Sequence, residues 1–576
     1  MNHGQLMPRR EGTQPAELAL GHRHQRSYRQ PRPYASRAAP GTTAALGWAR
    51  ATRSPQTRPA LSKLRTLLAN ALDPKTLAGH PFLLSVFTAV AFSTYYFPRS
   101  TQNAYFLHII ARWGDLPALR TDWLYQTPEP YIFFNYLHFL VGYLGSYELT
   151  TLLLFISIAS LGFFAIYRLL TACFGVPLWF SAAFLLIFCN PAVSLLLEEY
   201  KIAPALFLGG IASQSLFYPA PLYYQPGSID LLYFVCLWLI AQSRYTAALA
   251  LSSGIALMHP IMLTSSFFLY CAVTIALWKE ATFRQMVVRS ILSLAIVLPV
   301  LLYHFYLNWG FDGREIAEAR HIMLDVRTPH ETAVAVWFSS GDALRLALIG
   351  FGCMALFLRS GKPTVLRVFL MFVGISVALS AVTFATGSAT LRLLEPWRTS
   401  TVYLPLLTIF SLWVLGRPIV ERLWRFRIVQ ASVMCGIGLA ALSPLVTTWI
   451  MWQSTDERRA FYRELGNLSD RATVFAHLPR SFEDIRLGAG VPIFVDFKSP
   501  AFTAGDLIEW HRRVGLLEGI DFSQCDDLEA LMRKEKINFF IFDRVFDQRQ
   551  VSQMQQCRPS PALEHDGFVV YRVDGR

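Results

Sequence analysis

Residues 131–144 read YIFFNYLHFLVGYL, and whether this stretch crosses a bilayer or lies along it decides the direction of every segment that follows. A spanning helix needs about 20 apolar residues to cross about 30 Å of hydrocarbon. This stretch is shorter, is dense in tyrosine and phenylalanine, and follows Pro130. It is therefore predicted to be a helix lying at the membrane interface, where aromatic rings are favoured.

Outward from it, apolar runs recur between Pro81 and Ile450, and the chain is 53% hydrophobic and 16% charged, against about 25% charged in soluble domains. The runs predict about eleven transmembrane helices, at 80–97, 149–171, 176–197, 228–242, 245–258, 260–278, 286–307, 342–359, 364–386, 399–415 and 428–450. With 131–144 at the interface, one set of loops carries Arg168, then Arg244, then Lys279, Arg284 and Arg289, then Arg359, Lys362 and Arg367, then the RPIVERLWRFR cluster from Arg417 to Arg427. The opposite set holds Asp115, Asp122 and Glu129, then Glu198 and Glu199, then a mixed-charge stretch from Asp312 to Glu331, then Glu395. Basic loops stay in the cytoplasm, so the expectation is a multi-pass protein of a bacterial inner membrane with its N-terminus inside.

The net charge of +13 sits mostly at one end: residues 1–75 hold 13 Lys and Arg against Glu11, Glu17 and Asp73. Residues 1–78 lack apolar periodicity and are expected to be a disordered basic cytoplasmic tail that anchors topology. No nucleic-acid module accompanies the charge, and no nucleic-acid partner is expected. Residues 79–453 form the expected all-α membrane bundle, and beyond Trp452 the hydropathy falls. Residues 454–576 alternate apolar runs (TVFAHL, VPIFVDF, INFFIFD, GFVVYRV) with helical patterns at 505–517 and 526–536, which predicts a soluble α/β domain. An odd number of spans puts that domain in the periplasm. Six cysteines lie in or beside apolar runs. Cys525 and Cys557 fall in the tail, where an oxidising compartment permits a disulfide.

Two acids stand in the loop 98–130, Asp115 and Asp122, among Trp113, Trp123, Tyr125 and Tyr131. Either could cap a local helix; either could act as a base towards an acceptor hydroxyl or as a ligand in a phosphate clamp. The order of parts resembles the GT-C class of membrane glycosyltransferases: a first span, a large outside loop with Asp122, Pro130 leading YIFFNYLHFLVGYLG, Glu148 in a turn, and a span ending in the basic turn YRLLTACFG. The resemblance covers roughly residues 80–280 and is one of architecture. It implies sugar transfer from a polyprenyl-phosphate donor to an envelope acceptor at the periplasmic face, with Asp122 as base or metal ligand and Glu198 or Glu199 as the second acid. If a divalent cation, Mg2+ or Mn2+, takes part, Asp122 and Glu198 are its expected ligands. The chain departs from the commonest pattern in having Glu129 and Pro130 before the interfacial helix, and no Trp-Trp-Asp signature of Asn-directed transfer occurs.

Other candidates follow from position and chemistry. Arg398, in LLEPWRTSTVYLP beside Glu395, presents a fork of donors suited to phosphate, and Lys201 is a second phosphate candidate. His259, before Pro260 at a turn between spans, could contact the same phosphate. Tyr223 and Tyr224, in the broken segment 200–227, could stack on a sugar or simply anchor at the interface. The competing expectation is an envelope lipid or polysaccharide transporter, or a lipid-binding assembly protein. Coupled transporters carry ionisable groups at mid-membrane, whereas here acids cluster at segment ends, which favours surface chemistry.

Overall fold

The computed structural model describes residues 80–93, 102–114, 116–129, 131–143, 146–188, 226–332, 343–358, 363–469, 473–478, 482, 484–499, 501–565 and 567–573. The described residues are mostly helical, with one small sheet among them near the C-terminus.

Among the described residues five helical segments are long and apolar enough to cross a membrane: Tyr147–Ala172, Phe283–Leu307, Thr364–Thr386, Ala389–Leu423 (a short helix and a turn leading into the helix Ser400–Leu423) and Arg427–Val446. The other expected spans are helical over shorter lengths among the described residues, as in Pro81–Phe92, Gly227–Ala241, Tyr245–Met258 and Met262–Ala276. At about 1.5 Å per residue these fall short of a hydrocarbon core about 30 Å thick. Hydropathy finds apolar helices; it does not by itself separate a crossing helix from a short one buried among its neighbours. Met262–Ala276 is of the second kind, with Phe268, Leu269, Ala272 and Val273 buried. Phe283–Leu307 has the length and exposure of the first, with only Val300 and Leu307 of its 25 residues buried against protein. Its start is set by a capping box in which Thr282 and Gln285 bond each other's backbone, satisfying two of the donors left open at a helix N-terminus.

The segment at 131–144 is a helix of 11 residues, Ile132–Gly142. Its buried stripe is Phe134, Asn135, His138 and Gly142, while Tyr136 and Leu140 are exposed. Asn135 and His138 turned inward beside Phe134, with Leu140 outward, depart from the pattern of a soluble amphipathic helix. Next to it, Tyr147–Ala172 begins at Ser146, whose side chain accepts from the Leu149 amide, and packs on Pro81–Phe92 through the Phe92 and Phe163 rings and a Thr88–Tyr167 hydroxyl pair at 2.6 Å. Gly162 lets this helix touch Leu231: a Cβ there would lie 2.7 Å from the Leu231 Cβ.

The sheet has four strands in the order β1-β2-β4-β3, with β1 Phe475–His477, β2 Phe539–Asp543, β3 Leu563–His565 and β4 Phe568–Arg572. β1 and β2 are parallel, with Phe475 opposite Phe539, so a crossover must join them. It carries the helices Ala504–Glu518 and Cys525–Glu535, where helical patterns were expected. β2 and β4 are antiparallel with Ile541 opposite Val570, and β3 returns beside β4. The expected strand VPIFVDF contributes only a bridge, Phe475 to Ile493. A helix that was not expected, Gln548–Cys557, buries Val551 and Met554.

Because strand side chains alternate, Phe540 and Phe542 face a core with Trp510, Val514 and Met532, while Phe539 and Ile541 face Phe461 and Leu465. Those last two belong to the helix Arg427–Leu468, which runs unbroken for 42 residues through the expected boundary at 454. One rod of about 60 Å thus begins as a candidate span and ends as one layer of the sheet core. Cys525 and Cys557 form a disulfide joining the start of one tail helix to the end of another.

Candidate functional site

The sequence candidates fall into two separate groups in the structure, and several fall outside it. Asp115, Glu198, Glu199, Lys201, Tyr223 and Tyr224 lie outside the described residues.

Asp122 belongs to the first group. It caps the short helix Trp123–Gln126, its Oδ1 accepting from the Leu124 amide at 2.8 Å. Its Oδ2 accepts from Arg486 Nε and from the Ile493 amide, both at 2.8 Å. The Arg486 Nη1 donates in turn to Asp496 Oδ2. Asp122 is 0% exposed, and Arg486 and Asp496 are buried with it. Burial alone would lower the Arg486 pKa; the two carboxylates outweigh it and hold the guanidinium above its ordinary value. Nearby, the Leu487 amide donates to Asn103 Oδ1 at 2.8 Å, and Arg513 stands 4.6 Å over the Trp123 ring. Loop and tail are therefore knitted into one body. The capping alternative for Asp122 is what the geometry displays, with an ion pair added. The Ile493 amide points away from β1, whose Phe475 instead pairs with the Pro492 carbonyl and the Phe494 amide.

A guanidinium on Asp122 Oδ2 occupies the place a cation would take, so Asp122 as arranged does not fit a metal ligand. Among the described residues no group of three or more His, Cys, Asp or Glu side chains is placed to hold a metal ion.

The second group gathers His259, Glu395 and Arg398, as their positions at helix ends suggested, and adds Asp230 and His304. Glu395 terminates the helix Ala389–Leu394 with φ 43° and ψ 56°, left-handed backbone that costs a non-glycine residue about 1–2 kcal/mol. The turn it makes brings its Oε2 within 2.7 Å of Arg398 Nη1 while Glu395 stays 6% exposed. Trp397, between them, is fully buried and fixes the turn. Arg398 is also the charged neighbour of Asp230, which sits in the 3-10 turn Pro226–Leu231 between buried Ile229 and Leu231.

His259 lies between Tyr245–Met258 and Met262–Ala276, its Nδ1 accepting from the Ile261 amide at 3.2 Å. Its ring stacks on Tyr131 at 4.8 Å and meets the edge of Tyr105 at 6.2 Å. Burial first, then the charges of Arg398 and His304, push its imidazole down to about 3, so it is neutral at neutral pH. The group therefore offers one fixed cation (Arg398), two carboxylates (Glu395, Asp230) and two imidazoles, of which that of His259 is neutral, beside the start of the helix Ile132–Gly142. Sequence reasoning missed Asp230; its signal was a single acid inside the apolar run SIDLLYFVCLWL, and such acids are functional candidates by default.

The chain matches no protein-family model and no curated protein.

Proposed function

We propose that the chain is a multi-pass membrane glycosyltransferase of the GT-C kind, taking a sugar from a polyprenyl-phosphate donor and passing it to an envelope acceptor at the periplasmic face. The observation that carries this reading is the convergence of Arg398, Asp230, Glu395 and His259 beside a short aromatic helix with an apolar exposed face. A lipid-borne phosphate arriving along such a helix would meet a guanidinium whose fork Glu395 fixes. In the reaction the sugar C1–O bond to phosphate breaks, the acceptor oxygen bonds C1, Asp230 takes the acceptor's proton, and Arg398 stabilises the departing phosphate. Asp122 passes in this reading from base to tie between loop and tail. The disulfide Cys525–Cys557 supports a tail in an oxidising compartment, and the basic loops support a cytoplasmic N-terminus.

The test is transfer from a polyprenyl-phosphate sugar by the full chain in liposomes. Asp230→Asn should lower the rate by about 10² or more, and Arg398→Ala should do the same with a raised KM. Full transfer by either variant would overturn the proposal, and donor binding without turnover by the wild-type chain would favour a lipid-binding protein instead.

A further inference from the structure

The C-terminal part of the chain reaches the second group as well as the first. Ala501 is 1% exposed within the core of the helical bundle, and Phe502 packs against that same core. The Phe502 ring meets Tyr131 edge-on at 5.1 Å, and Tyr131 lies flat on His259 at an interplanar angle of 23°. The strand-to-helix loop that carries Phe502 is itself pinned: Arg327 Nη2 donates to the Lys498 carbonyl at 2.9 Å, and the Arg327 guanidinium stands 5.5 Å over the Phe497 ring. Three rings from three distant stretches, at 502, 131 and 259, thus form a continuous row ending at the imidazole beside Arg398.

We propose that Phe502 is a positioning residue of this site: its ring holds Tyr131 flat on His259, and so fixes the imidazole against an anion bound at Arg398. This rests on the reading of the second group as a phosphate-binding site. An edge-to-face ring contact restrains Tyr131 in orientation as well as place. A ring stacked on a neutral imidazole also keeps water from it. Without Phe502 the stack is free to open, water reaches His259, and the residue can take up a proton. The charged and titratable neighbours that govern that proton are Arg398 on the turn after Glu395, His304 on the helix Phe283–Leu307, and the Tyr105 and Tyr131 rings.

The experiment uses the full-length chain in detergent and farnesyl phosphate as the probe, with affinity measured by calorimetry at pH 7.5 and 5.5. Phe502→Ala should weaken binding at least five-fold at pH 7.5. It should also raise the ratio of affinity at pH 5.5 to that at pH 7.5 at least three-fold above wild type, because a released His259 becomes cationic in acid. A loss of packing alone would not move that ratio. Phe502→Tyr, which keeps the ring, should restore both values, and Phe502→Leu replaces the alanine variant if that one fails to fold. Arg398→Ala separates the two levels of the claim. Unchanged probe binding in Arg398→Ala overturns the phosphate site itself; weakened binding there with wild-type affinity and pH ratio in Phe502→Ala overturns the role of Phe502 alone.

Discussion

Removing the Asp122 carboxylate should loosen the tail before it affects any chemistry. In Asp122→Ala, Arg486 keeps only Asp496, the Ile493 amide loses its acceptor, and the helix Trp123–Gln126 loses its cap. Breaking a buried ion pair by deleting one partner costs about 3–5 kcal/mol, and a lost cap alone costs about 1 kcal/mol. The terms share atoms and do not add, so a loss of about 3–5 kcal/mol is expected, or roughly 12–20 °C in the midpoint of a tail of about 120 residues. Tryptophan fluorescence follows it well, since Trp510 is buried in the tail core and Trp123 lies under Arg513. Asp122→Asn and Arg486→Met should each destabilise, and the double variant should lose at least about 1 kcal/mol less than the sum. A midpoint within about 1 °C of wild type in Asp122→Ala would refute the tie. An Asp122→Asn chain with unchanged unfolding and no transfer would return Asp122 to the role of base.

Other consequences follow from single contacts. His477 is fully buried beside Arg486 and Asp496, and burial lowers its imidazole below the ordinary 6.5. The unfolded chain then binds the extra proton, so this contribution is complete above pH 6.5 and is lost as pH falls, by at most about 1.4 kcal/mol per unit; His477→Gln should flatten the acid limb of a melting profile. Reducing Cys525–Cys557, which are 32 residues apart, should remove about 3–4 kcal/mol from the tail, read as a drop in its midpoint with dithiothreitol. Gly162→Ala places a methyl group 2.7 Å from the Leu231 Cβ. It should cost about 1–3 kcal/mol, and by displacing the turn that holds Asp230 it should lower transfer more than it lowers expression.

Much of the helical framework was legible because period and hydropathy are local. The stretch at 131–144 is a short helix, as its length and flanking charges led one to expect, and the apolar run at 149–171 falls within the helix Tyr147–Ala172. Which apolar helices are long enough to cross was less legible, since burial among other helices and burial in lipid favour the same side chains. His259, Glu395 and Arg398 could be singled out because polar residues at the ends of apolar runs are visible in a single sequence. Asp230 was missed because an apolar window averages one acid away. Arg486, in DIRLGAG, has no local signature at all: what gives it meaning is a carboxylate 364 residues earlier. The segment VPIFVDF had the composition of a strand, and composition does not register that only Ile493 comes to bridge β1, opposite Phe475.

That separation has a meaning for the ribosome. At about 5–20 residues per second, the partner of Asp122 emerges roughly 20–70 s after Asp122 itself. During that interval the loop 98–130 has its acid, its aromatic residues and the Asn103 amide, but none of the tail contacts that later enclose them. The newborn loop is thus a surface on which a chaperone or a protease can act, and the window closes only when nearly the whole chain has been made. A chain cut short between residues 450 and 486 would never close it. Truncated products should therefore be cleared from the membrane far faster than the complete protein, even though every candidate span is already present in them.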